Sequence, residues 1–388
     1  MQDFEWVVVL NGGAKWNPPD DPRVWVTTAA LNGVGAAKER ACACCHGEIL
    51  VELDHDDILA STCLEEIGRA FDIHPGASMV YSETAQITAG GKKDTSKFDT
   101  SHGWEYYEDT VDGRAVMPFR SMEPTPHNVS YIWYAPNHVK GISHLAYDTA
   151  GGYDPARYIC DDQDLMCRLY QVGPFVPIHK CLYLQRVHGQ NTQTQRNADI
   201  QAETVKLYDY YIQPNVLSWC KREGLIALDF GAAHNQVEGY IGVDQREGPG
   251  VDIVAELPKP IDLPDSSVGV IRACDFLEHI ADKVGLINEI YRLLAPGGML
   301  LSLTPSTDGR GAFQDPTHVA FYNENSFWYY TQASMQKYVP DLKCHFQVSR
   351  LFSGYPSAWH EQHQISYVTA NLIALKEPMP RQGGRVEI

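Results

Sequence analysis

Three carboxylates fall within four positions at Asp54, Asp56 and Asp57, directly after a stretch in which Ile49, Val51 and Leu53 alternate with Glu48, Leu50 and Glu52. The alternation predicts a short strand running into the acidic cluster, so the cluster sits where a strand gives way to a loop. Like charges this close repel and gain nothing unless a cation or hydrogen-bond donors face them. The fold must therefore bring a counter-charge to this strand end or leave the turn in water. Oxygen ligands alone point to Mg or Mn rather than Zn. A solvated acidic turn capping a helix that begins near Ile58 fits the spacing equally well.

A second cluster, Asp161, Asp162 and Asp164, opens a stretch whose Leu165, Arg168 and Leu169 fit a helix. The helix dipole favours carboxylates at that end, yet capping alone accounts for one Asp, not three. Upstream, Phe4 to Leu10 reads as a β-branched strand stopped by Asn11-Gly12-Gly13. Val24 to Val26 and Ser78 to Glu83 read as further strands, and Gly33 to Arg40 as a helix. From Ala89 to about Asn128 the chain is polar, rich in Gly and aromatics, and without period. Trp104, Tyr106 and Tyr107 there suit either stacking on a sugar ring or internal packing.

The first half resembles the GT-A glycosyltransferases of inverting family 2. The resemblance rests on the Gly47 to Asp57 segment, on Gly151-Gly152-Tyr153-Asp154 followed by Asp161-Asp162-Gln163-Asp164-Leu165, and on Tyr183 to Asn191 with His188, Gln190 and Asn191. It covers roughly residues 4 to 195. It implies a nucleotide-sugar domain in which Asp54 lies near the ribose and Asp56 binds the divalent ion, Mn or Mg, under the diphosphate. It further implies Asp162 as general base for an acceptor hydroxyl, Asp161 in the place of the family's Glu, Asp164 as a supporting carboxylate, and His188 as a further metal ligand. Lys38 or Arg40 would meet the phosphates, and Asn11 stands where an Asp commonly reads the base. The family's opening strand and helix have no counterpart ahead of Phe4. The expectation is an N-terminally truncated domain, or one that holds its nucleotide in another way.

The second half changes pattern. Leu225 to Phe230 is an apolar strand ending in Gly231-Ala232-Ala233-His234, and Tyr240 to Asp244 is a second strand ending in an acid. A small-residue turn followed by an acidic strand end is the Rossmann-type arrangement, although a plain tight turn fits the glycine as well. Residues Val251 to Leu257, Leu263 to Val268, Asp275 to Ile280 and Glu289 to Gly298 then follow in order. This run resembles the class I, type 11 S-adenosylmethionine-dependent methyltransferases over about residues 226 to 375. The resemblance implies S-adenosylmethionine held by Gly231, Asp244, Glu256 and Asp275, with a turn shorter than the family's usual one. The segment Gly309 to Val319 belongs at the carboxyl edge of such a sheet, where His318 or Asp315 suits deprotonation of an acceptor hydroxyl and a self-bonded loop is the alternative.

The 388 residues suffice for two α/β domains. The expected division is a GT-A-like domain over 1–196, a linking helix over 197–224 interrupted by Pro214, and a Rossmann-like methyltransferase domain over 225–388. A net charge of -18 argues against nucleic acid as substrate or partner. No apolar run reaches membrane-span length and no signal peptide is evident, so a cytoplasmic protein is expected. Cys42, Cys44 and Cys45 read as small thiols of a reducing compartment. The leading expectation is a bifunctional enzyme that transfers a sugar from a nucleotide donor to a glycan acceptor and methylates a hydroxyl. Two rivals are a methyltransferase whose first domain only holds the glycan, and a catalytically silent carbohydrate-binding scaffold.

Overall fold

The computed structural model describes residues 3–96, 98–189, 195–233 and 237–384. Gln190, Asn191 and His234, which belong to the motifs above, lie outside the described residues. The chain forms two compact units, one running through Asn215 and including Arg381–Gly383, the other comprising Val216–Pro380. The helix Asn197–Glu223 runs unbroken past Pro214, and the division falls inside it, between Asn215 and Val216. Gly224 follows with φ 66, a left-handed conformation that ends the helix cheaply.

In the first unit, Trp6–Asn11 pairs in parallel with Val24–Ala29 as a separate two-stranded sheet. The Glu5 carboxylate just before it accepts from the backbone amides of His46 and Gly47, which ties this pair to the start of the acidic strand. The main sheet runs in the order Ile49–Val51, Lys140–Ser143, Met79–Thr88, Phe175–Val187, Ile58–Leu59, with Lys93–Asp94 and Pro118–Phe119 adding to Met79–Thr88. The central strand Met79–Thr88 is buried along almost its whole length, including the polar Ser82, Glu83, Thr84 and Gln86, so it shows no alternation of buried and exposed positions. Helix Cys63–Ile73 lays Cys63, Ile67 and Ala70 on this sheet at helical spacing, each buried. Burying a side chain such as Ile67 contributes about 1.5–3 kcal/mol.

The helix expected near Ile58 begins instead at Cys63, because Ile58 and Leu59 pair as an edge strand with Leu184 and Tyr183. The aperiodic segment after Ala89 contains the hairpin Asp109–Val111 with Arg114–Val116. Helix Val34–Cys42 packs so closely that a Cβ on Gly35 would meet the Asp154 carbonyl oxygen at 2.4 Å. The room this glycine leaves is thus filled by the chain's own backbone, not by a ligand.

The second unit is an open seven-stranded sheet in the order Ile253–Val254, Ile241–Asp244, Ile226–Phe230, Val268–Cys274, Leu294–Pro305, Tyr367–Ala374, Phe346–Gly354. The first five strands are parallel and Tyr367–Ala374 is antiparallel to its neighbours. The apolar residues of Val268–Cys274 and Leu294–Pro305, at the middle of the sheet, follow from burial on both faces. The order reverses between Ile226–Phe230 and Val268–Cys274, which makes that pair's carboxyl end the topological switch point of a doubly wound sheet. Helix Lys283–Leu293 covers it through buried Leu286, Ile287, Ile290 and Leu293. Among the described residues no helix joins Phe230 to Ile241, a short link for two adjacent parallel strands. No described helix is long and apolar enough to cross a membrane.

Candidate functional site

The two acidic clusters of the first unit meet. Asp54, Asp56, Asp161, Asp162 and His188 all line one cavity of about 940 Å³. Strand Ile49–Val51 delivers the first cluster, helix Asp161–Val172 the second, and the end of Phe175–Val187 delivers His188. The helix start holds because Asp161, Asp162 and Asp164 occupy its first turn, on the favourable side of its dipole.

Two lysines balance this charge. Lys38 lies 3.2 Å from Asp161 Oδ2 and 4.0 Å from Glu52 Oε2. Lys140 lies 3.2 Å from Asp162 Oδ2 and 3.9 Å from the same Glu52 oxygen. Burial works against the Lys38 ammonium, but Glu52, Asp161, Asp162 and Asp54 outweigh it and hold the group charged well above the ordinary lysine range. Burial likewise opposes charge on Asp162, and Lys140, Lys38 and His138 overcome it, so that its carboxyl sits below the usual range. Glu52 and Asp161 are pushed upward by burial, in each case partly offset by Lys38. Burial brings the His138 imidazole down to about 3, helped by Lys140 and opposed by Asp54. Its ring stacks on Tyr183 at 4.9 Å.

Asp56 Oδ2 lies 2.7 Å from His188 Nε2, so a carboxylate and an imidazole stand together on the cavity wall. An oxygen and nitrogen donor pair suits Mn better than Mg, which prefers oxygen alone. Asp57 faces inward instead: its Oδ1 accepts from the Arg186 amide at 2.6 Å. Tyr183 accepts from the Asp54 amide at 3.2 Å, so the acidic turn is fastened to the long strand.

Other residues lie elsewhere. Asn11 brackets Leu31, accepting from its amide at 2.8 Å and donating to its carbonyl at 3.1 Å, and does not line the cavity. Asp164 binds Arg168 at 2.6 Å, Arg157 at 3.2 Å and the Tyr211 hydroxyl at 2.8 Å, which makes it a structural anchor. Trp104 packs against Phe98 and Phe119 and, with them, also lines the cavity, whereas Tyr107 donates to Glu83 and does not. Glu52, His138 and Lys140 escaped the sequence reading. The signal for Lys140 is a lone cation inside the apolar stretch Val139 to Ile142.

In the second unit, Gly231, Asp244, Glu256 and Asp275 each follow or end one of the first four parallel strands, all at the carboxyl edge. Gly231 has φ 78, and a Cβ there would meet Phe276 at 2.8 Å, so the turn requires glycine. Asp244 accepts from the amides of Ala233 at 3.3 Å and Arg246 at 3.1 Å, which fixes the turn beside it. Asp275 accepts from the Tyr367 hydroxyl at 2.9 Å. Glu256 is mostly exposed and pairs with Lys259 at 2.6 Å. His318 is partly buried at the same edge, its Nδ1 3.0 Å from the Ala312 carbonyl. Gly231 and Asp244 thus lie at the switch point, the edge where ligands of such sheets sit, and the room beside Gly231 is taken by the Phe276 ring.

Known proteins match both halves. The family described as "Methyltransferase domain" matches residues 217–302. A probable S-adenosylmethionine-dependent methyltransferase of Mycolicibacterium smegmatis is 35% identical over 106 residues, 26% of this chain and 38% of that protein. Chondroitin synthase of Escherichia coli is 24% identical over 186 residues, 47% of this chain and 23% of that protein. The chain thus spans under two fifths of either relative's length. The crystal structure of S. aureus TarS 1-349 in complex with UDP covers 51% of this chain and 53% of its own, at 13% identity and a TM-score of 0.34. The chain thus joins a stretch similar to part of chondroitin synthase to one that matches a methyltransferase domain.

Proposed function

We propose that this chain modifies a glycan at two separate sites: inverting sugar transfer from a nucleotide donor in the first unit, and S-adenosylmethionine-dependent O-methylation in the second. Polysaccharide or glycoconjugate synthesis is the setting such a pairing suits. The observation that carries the reading is the convergence of Asp54 and Asp56 with Asp162 and His188, which follow them by more than a hundred residues, on one cavity. A divalent ion held by Asp56 and His188, with phosphate oxygens completing its shell, would neutralise charge on the leaving diphosphate. Asp54 lies within the same turn, suited to a ribose hydroxyl. Asp162 stands on the facing helix start, where a carboxylate accepts the acceptor hydroxyl's proton as the sugar is displaced with inversion. In the second unit Gly231 gives the cofactor close approach, Asp244 and Asp275 offer acceptors to its hydroxyl and ammonium groups, and Glu256 stands at the adenine end. His318 presents its ring at the edge where the acceptor hydroxyl is deprotonated.

One observation favours a second reading of the first unit. Lys140 holds Asp162 as a fixed anion, which weakens it as a base and suits a platform that only grips the glycan. Release of UDP from UDP-sugars with Mn and a glycan acceptor separates the two. Acceptor-dependent release that falls at least about 100-fold in Asp162→Asn, with Mn-UDP binding intact, supports transfer. Binding without release, in the parent chain, supports the platform.

A further inference from the structure

His318 and Glu278 face each other across 4.0 Å. His318 Nδ1 lies 3.0 Å from the Ala312 carbonyl oxygen, which only an N–H satisfies, so this contact assigns the proton to Nδ1 and the lone pair to Nε2. Nε2 is 4.0 Å from Glu278 Oε1. Glu278 is 2% exposed, its Oε2 accepts from the Thr304 hydroxyl at 2.6 Å, and its Oε1 has no hydrogen-bond partner. Two lone pairs, one on a buried carboxylate, thus point across a gap too long for a hydrogen bond. Such an arrangement is costly unless a cation fills it.

His279 supplies a third donor. One ligand atom from each of Glu278, His279 and His318 lies within 4.8 Å of the others, the one such group of His, Cys, Asp and Glu among the described residues. The two imidazoles meet edge to face at 5.1 Å, and His279 Nδ1 is 3.2 Å from the Thr317 carbonyl.

We infer that Glu278, His279 and His318 form a site for a divalent transition-metal ion of the zinc class, at the carboxyl edge of the second sheet. Two imidazoles and one carboxylate favour such an ion over Mg or Ca. Metal–ligand bonds of about 2.0–2.2 Å set ligand atoms roughly 3.3 Å apart, so the Glu278–His318 gap closes by under about 1 Å on binding. The Ala312 carbonyl on His318 Nδ1 is the outer partner that orients a metal-bound imidazole. Three protein ligands leave a position open, and an acceptor hydroxyl there would lose its proton near neutral pH. That role rests on the methyltransferase reading and makes His318 a ligand instead of a free base; binding of the ion does not depend on it.

The test uses the full chain carrying Asp56→Ala, stripped by chelator and titrated with Co²⁺, whose visible absorption reports imidazole coordination. One tight equivalent with that absorption is expected, weakened at least about 10-fold by His318→Gln and by Glu278→Gln. Circular dichroism and S-adenosylmethionine titration on the same samples report folding and keep this outcome distinct from failure of the methyltransferase reading. A folded His318→Gln chain that takes up the same equivalent with the same spectrum overturns the site, as does a parent chain that takes up none.

Discussion

Replacing Lys140 by Met asks whether the first unit's cavity is built on charge balance. Lys140 is 2% exposed, between Asp162 at 3.2 Å and Glu52 at 3.9 Å. Met retains most of the apolar stem and removes only the charge, which isolates electrostatics from packing. The acidic groups are then left with Lys38, which already serves Asp161 and Glu52. Removing one partner of a buried ion pair costs about 3–5 kcal/mol. Because Lys38 remains and the Asp162 side chain is 24% exposed, the lower end applies, roughly 3 kcal/mol. With a urea m value of about 2–3 kcal/mol/M, the unfolding midpoint followed by tryptophan fluorescence falls by about 1 M or more. Lys140→Met with Asp162→Asn should recover over about 1 kcal/mol relative to Lys140→Met alone, since a neutral amide needs no counter-charge. A Lys140→Met chain within about 0.5 kcal/mol of the parent, or a double variant costing the sum of the singles, would refute the charge-balance argument.

Other outcomes follow from single groups. Gly231→Ala forces a Cβ against Phe276 at a left-handed φ and should weaken S-adenosylmethionine binding at least about 10-fold by calorimetry; unchanged affinity would show that the turn does not cradle the cofactor. Burial holds the His127 imidazole down to about 4, with the Gly383 carbonyl at 3.0 Å working the other way. The unfolded chain protonates that ring below about 6.5, so this group's stability is complete above that pH and is lost as pH falls toward 4. His127→Gln should flatten the stability slope between those values by up to about 1.4 kcal/mol per pH unit, and identical slopes would count against the assignment. Asp162 has the same sign, its depressed carboxyl contributing stability above the unfolded value of about 3.9 and losing it on acidification. In Asp162→Asn that acid-side loss should shrink; an unaltered acid limb would show the ion pair to be inert.

What could be read from the chain is what local pattern encodes. Alternation in Ile49 to Leu53 and the apolar runs of the second half announce strands, and the residues that end them, Asp54, Gly231, Asp244 and Asp275, lie where chain direction forces them, at carboxyl edges. Pairing between distant segments was not legible. Lys140 reaches the acidic cluster because Lys140–Ser143 lies beside Ile49–Val51 in the sheet, a neighbour relation that no local spacing carries. Asp164 looked like a partner of Asp162, yet the helix turns it toward Arg157, Arg168 and Tyr211. Ile58 and Leu59 carry no turn-breaking residue, and only the long strand beside them makes them extended. The opposed Glu278 and His318 are likewise distant in sequence and meet only through the sheet edge.

The central claim is that one chain holds two independent ligand sites. Calorimetric titration of the full chain with S-adenosylmethionine, and separately with UDP plus Mn, tests it directly, using Asp244→Ala and Asp56→Ala as paired controls. The account predicts that both ligands bind, that Asp244→Ala removes only the first and that Asp56→Ala removes only the second. Binding of neither ligand to the folded parent chain, or loss unlinked to these residues, would contradict it.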